Sequence, residues 1–138
     1  MEYIKIGETV TSIKAMKLCK YFGFVLLHER IKANSLRYKP WEFTGASIFP
    51  DKLMAKIMGV SPYQLTYKCA LPHAIRYAYG LPGDRDGRKS ADLMYKRDLV
   101  VKAGVPIVWA WLFYWCSRIF GIQKLRLPFS WSFARKSI

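Results

Sequence analysis

Residues 88–121 read RKSADLMYKRDLVVKAGVPIVWAWLFYWCSRIFG, and this stretch decides the fold. Ser90 is a good N-cap, and Asp92 falls in the first turn, where the helix dipole favours a carboxylate. Leu93, Tyr95 or Lys96, Leu99 or Val100, and Ala103 then recur at helical spacing as far as Gly104, a natural C-cap. Pro106 restarts the chain as a second helix, and Ile107 to Phe120 is apolar nearly all round except for Ser117 and Arg118. A helix of that composition is expected to be buried against other elements or in a partner.

Working upstream, Pro62 opens another helical pattern carrying Leu65, Cys69, Pro72 or His73, Arg76 and Tyr77. Pro72 inside it either kinks the helix or starts a new one. Gly80, Pro82 and Gly83 open a loop expected to run through Asp84-Arg85-Asp86-Gly87, so the two helical patterns form a hairpin that brings His73 towards Asp92. Asp51 precedes a two-turn helix over Lys52–Met58 that stops at Gly59. Tyr38, Trp41, Phe43 and Ile48 around Pro40 read as an edge strand or extended loop, and Gly45-Ala46-Ser47 as tight packing. Residues 11–22 form a basic amphipathic helix capped by Thr11 or Ser12, Gly23 ends it, and the apolar run Phe24–Leu27 reads as a strand. The expected fold is α+β: short N-terminal strands, a helical hairpin, a C-terminal apolar helix and a basic extended tail. The expected organisation is an arm or helix over 1–22, one domain over 23–121 and an aromatic tail over 122–138.

The 138 residues suffice for one core and are too few for two. A hydrophobic content of 52% with 16% aromatics excludes a disordered linker. Twenty-three Lys and Arg against nine Asp and Glu give +14, spread along the chain, so the protein seeks an anionic partner: nucleic acid, an anionic lipid surface or an acidic protein. Cys19, Cys69 and Cys116 are odd in number and never in a C-x-x-C pair, which points to buried reduced thiols, with no zinc site and no cofactor signalled. Met1–Lys5 lacks the layout of a signal peptide, and the twelve-residue apolar run Val105–Cys116 is short of a membrane span.

Acid–base chemistry has two histidines to draw on. His28 lies in a strand-like place and reads as structural, whereas His73 with Asp92 has the residue types of the base half of a hydrolytic site. An ordinary structural ion pair is the plainer meaning, since neither Ser47 nor Cys69 lies in a nucleophile elbow. Asp84 and Asp86 lack the remaining acids of a calcium loop and read as turn formers. Arg85, Arg88, Lys89, Lys96 and Arg97 gather on one loop and helix, and Lys124, Arg126, Arg135 and Lys136 alternate with aromatics in the tail; both groups are candidate anion-binding residues.

Taken in order, the segments Phe43-Thr44-Gly45-Ala46-Ser47-Ile48, Ala70-Leu71-Pro72-His73 with Tyr77, Arg88-Lys89-Ser90-Ala91-Asp92, Gly104-Val105-Pro106, the aromatic run Trp109 to Tyr114 and Arg118-Ile119-Phe120-Gly121 resemble a family of small proteins of unknown function encoded in phages and prophages. The similarity covers roughly residues 24–121. Two family acids are missing: Thr44 runs directly into Gly45, and Ala74 follows His73 where the family has Asp. The resemblance therefore implies a structural or assembly protein of a virion (tail, connector or ejection-associated). Such a protein would dock on other virion proteins in a multi-subunit assembly, with DNA or an acidic protein surface as the anionic partner. It would reside in the virion, and in the host bacterial cytoplasm during assembly. The alternatives are a small cell-wall hydrolase using His73 and Asp92, or a host-directed factor that binds nucleic acid or protein.

Overall fold

The computed structural model describes residues 4–5, 7–34, 38, 40–43, 51–81 and 84–120. Two short strands, β1 (Thr9–Val10) and β2 (Trp41–Glu42), pair antiparallel with Val10 opposite Trp41. The Gly7 N–H to Phe43 carbonyl bond (2.7 Å) and the Phe43 N–H to Glu8 carbonyl bond (3.1 Å) lengthen the ladder. Alternation then places Val10, Trp41 and Phe43 in the core.

Helix α1 (Ser12–Phe22) begins where Thr11 accepts the Lys14 N–H at 3.3 Å, and it buries Ala15, Leu18 and Cys19. It stops at Gly23, whose φ of 77° suits a residue without a Cβ, and the Phe24 N–H closes the end on the Cys19 carbonyl at 2.8 Å. The next segment corrects the expected strand: Val25–Ala33 is helix α2. Four consecutive apolar residues carry no period of their own, and the period is set by the packing of Phe24, Leu27 and the fully buried Ile31 at i, i+3 and i+7. Val25 and Leu26 are left on the outer face. His28 accordingly sits on a helix, with Nδ1 at 3.3 Å from Glu29 Oε1.

Helix α3 (Asp51–Met58) ends at Gly59. The following helical segment passes through a π-helical stretch, Gln64–Ala70, before continuing as α4 (Leu71–Ala78). Pro72 has no N–H to give to the preceding turn, and the widened i→i+5 geometry immediately upstream accommodates that loss without ending the helix.

Helix α5 spans Arg85–Val101, so it starts five residues before the Ser90 cap read from the sequence. Its cap is Asp84, whose carboxylate accepts the Gly87 N–H at 2.9 Å. Glycine leaves room for that contact, because a Cβ at position 87 would lie 2.2 Å from Asp84 Oδ2 and push the capping carboxylate aside. An Asp-Gly-rich stretch read as a turn is thus the first turn of a helix. Gly104 (φ 71°) turns the chain into α6 (Ile107–Phe120).

Among the described residues the architecture is mostly helical with this one two-stranded sheet. Helix α5 packs along both α6 and α4, and α1 along α2. One core holds Ile4, Leu18, Ile31, Phe43, Leu65, Leu71, Ile75, Tyr79, Tyr95 and Leu99. The rest of the domain buries one side of helix α6: Ala110, Phe113, Tyr114 and Ser117 face inward, while Val108 is 75% and Trp115 55% exposed. None of the helices among the described residues is long and apolar enough to cross a membrane. The Thr44–Ile48 segment and the tail with Lys124, Arg126, Arg135 and Lys136 lie outside the described residues.

Candidate functional site

His73 on α4 and Asp92 on α5 meet because the two helices pack antiparallel around the loop that joins them. His73 Nε2 lies 3.0 Å from Asp92 Oδ1, and the Asp92 side chain is completely buried. The Tyr77 hydroxyl, one turn after His73, donates to the same oxygen. From α6, Arg118 Nη1 donates to the other oxygen, Oδ2, at 2.9 Å. Helices α4, α5 and α6 therefore each place a donor or the acceptor at one carboxylate, with charge-assisted bonds among them.

Arg88 closes the arrangement from one turn before Asp92. Its Nη2 donates to the Ser117 carbonyl at 3.0 Å and to the Arg118 carbonyl, two acceptors at the end of α6. Two aromatic rings lie against the histidine: Tyr95 stacks on it at 4.2 Å between centroids, and Tyr77 lies tilted at 4.3 Å. Burial pushes the hydroxyls of Tyr77 and Tyr95 far above the usual phenol range, with the nearby Asp92 charge adding to the effect, so both are protonated donors throughout the physiological range.

The chemistry open to this cluster is narrow. The carboxylate on Nε2 orients an imidazole whose side chain is only 14% exposed. Burial holds the thiol of Cys69 up at about 12, so it is no thiolate at neutral pH. Among the described residues no group of three or more His, Cys, Asp or Glu side chains could hold a metal ion. Ser47 lies outside the described residues.

A second acid of α5, Asp98, is also buried, and it has ion-pair distances of 4.0 Å to Arg76, 3.6 Å to Arg97 and 3.7 Å to Lys102. The basic residues of the predicted anion-binding group thus separate. Arg88 is spent on α6 and Arg97 leans on Asp98, whereas Arg85 and Lys89 are exposed and Lys96 places its Nζ 3.8 Å over the Trp111 ring.

Sequence reasoning paired His73 with Asp92 and missed Tyr77, Arg118 and the capping role of Arg88. Tyr77 carries a signal, one turn after His73 on the same helix, whereas Arg118 reaches Asp92 from a third helix with no spacing to mark it. Comparison with family models, with curated proteins and with solved structures returns no match.

Proposed function

We propose that the chain is a structural or assembly protein of a phage-type particle (tail, connector or ejection-associated) that docks on protein neighbours through its basic and aromatic surface. The observation that supports this most is the saturation of Asp92: His73, Tyr77 and Arg118 occupy both of its oxygens. Three segments of the phage resemblance thus converge on a clip between helices, which is what a scaffold selected for shape needs and a reacting dyad does not. In this reading the protein resides in the host cytoplasm during assembly and in the virion afterwards. The +14 charge directs it to DNA or to acidic neighbours. Mass spectrometry of purified particles tests the proposal: the chain is expected at fixed copy number, and its absence from them ends it.

The 3.0 Å contact between His73 and Asp92 favours a second reading, a small hydrolase. Turnover of peptidoglycan or ester substrates that His73→Ala abolishes in a folded protein would establish it, and no turnover in the wild type removes it.

A further inference from the structure

Helix α6 exposes an apolar face that the packed domain does not use. Ile107, Val108, Trp111, Leu112, Trp115 and Ile119 are all exposed large hydrophobic residues. At 3.6 residues per turn they fall on one arc of about 140°, with Trp115 at its centre. Their spacing i, i+3, i+4, i+7 and i+11 from Val108 makes the stripe continuous along the whole helix. The one cation on α6, Arg118, sits at the edge of the arc, and its guanidinium is directed to Asp92. Scattered exposed leucines are ordinary on a soluble protein; six aligned large residues, two of them indoles, mark a contact surface.

Charge decides what that surface contacts. Lys96 lies over Trp111 with its Nζ 3.8 Å from the ring centroid, so its row on α5 borders the apolar arc. That row is Lys89, Leu93, Lys96 and Val100, spaced i, i+4, i+7 and i+11 along one helix face. Beyond Asp98 the chain holds six Lys and Arg and no acid at all. A continuous apolar stripe with tryptophans and no acid of its own, bordered by lysines of α5, has the composition of a segment that lies in the plane of an anionic bilayer. Indoles seat their rings at the headgroup level with the N–H towards water, and lysines beside them meet anionic lipid. The helix has 14 residues, which is too short to span and sufficient to lie flat. A second copy fits worse, because pairing through this face brings together two chains of +14 each. A protein neighbour fits less well too, since such interfaces mix polar groups into their apolar area, and besides the indoles this arc holds only Arg118, whose guanidinium is bound to Asp92.

We propose that the exposed arc of α6, with the lysine row of α5, is a peripheral binding face for an anionic bilayer. The inference stands apart from the assembly role and holds whether or not the chain is a particle component. The test is flotation of the full chain with vesicles of phosphatidylcholine alone or with about 30 mol% phosphatidylglycerol. The expected result is co-flotation that is about tenfold stronger with the anionic lipid and falls with added salt without vanishing, because screening removes the lysine contribution and leaves the apolar one. Leu112→Ser combined with Trp115→Ser should lower partitioning by about tenfold or more with both vesicle types. Lys89→Glu with Lys96→Glu should abolish the preference for phosphatidylglycerol. Brominated lipid should quench the tryptophan emission of the wild type, which checks insertion without any variant. The proposal is overturned by absence of flotation with either lipid, by no quenching, or by unchanged partitioning of the Leu112→Ser/Trp115→Ser protein. A concentration-dependent dimer that the same double substitution dissolves would also overturn it, in favour of a second copy.

Discussion

Replacing Asp92 by Asn keeps the shape of the side chain and removes its charge, so it isolates what the clip contributes. The carboxylate accepts from a guanidinium at 2.9 Å, an imidazole at 3.0 Å and a phenol, in a place with no solvent access. An amide offers one acceptor oxygen and turns an NH2 towards at least one of these donors. Arg118 or His73 then faces a donor, and the guanidinium has lost its counter-charge. Breaking a buried charge pair by neutralising one partner costs about 3–5 kcal/mol, and the asymmetry of unsatisfied donors places this site within that range. Against a total stability of about 5–15 kcal/mol, that is a large fraction. For a domain of this size it should lower the thermal midpoint by roughly 10–20 °C. Urea unfolding followed by tryptophan emission measures the loss, and a cycle with Arg118→Met measures the coupling, expected to exceed about 1 kcal/mol. A loss below about 1 kcal/mol for Asp92→Asn, or additive single effects in the cycle, would show that the three helices are not held together at this carboxylate.

Alkaline pH should weaken the fold. Burial pushes the thiols of Cys19 and Cys69 up to about 12 and raises the phenols of Tyr77 and Tyr95. In the unfolded chain these groups ionise near about 8.5 and 10. The native state holds more protons between the two limits, so stability is full below about pH 8.5 and falls as pH rises towards 12. Urea midpoints measured from neutral to strongly alkaline pH should therefore decline, and a flat profile contradicts the burial of these groups. The same burial predicts that a thiol reagent at mildly alkaline pH labels Cys19 and Cys69 only after denaturant is added; rapid labelling of all three cysteines in the native protein would argue against it. Gly23→Ala should destabilise by about 1 kcal/mol, from the left-handed φ of 77° alone, because no atom lies within 4 Å of the added Cβ. A circular-dichroism melt checks this last expectation, with no change or a gain counting against the αL cap.

Legibility from sequence followed how local the deciding physics was. The bounds of α1 and α6 were readable because Thr11, Gly23, Gly104 and Pro106 act on their own backbone. The helical state of α2 is not legible because Phe24–Leu27 has no internal period, and the distinction rests on which face meets the core at Ile31. The start of α5 was misplaced because Asp84 and Gly87 serve a turn and a helix cap equally well until the rest of the helix is seen. His73 and Asp92 could be paired through a hairpin argument spanning one loop. Arg118 could not, because it reaches Asp92 from a third helix 26 positions away, and such contacts leave no spacing to read. Which side of α6 the domain covers is hidden for a related reason. Composition says that a helix is apolar on every side, and the positions of its neighbours decide which sides they cover.

The π-helical stretch Gln64–Ala70 sets the rotational phase of everything after it. Each residue of an α-helix turns about 100°, so one residue more or fewer upstream of Leu71 would carry His73 and Tyr77 off the α5 side by about a quarter turn. The extra residue that the π geometry houses is thus the setting that aims α4 at Asp92. The clip depends on the stretch directly upstream of α4, and a length change there would undo it while leaving each of its side chains in place in the sequence.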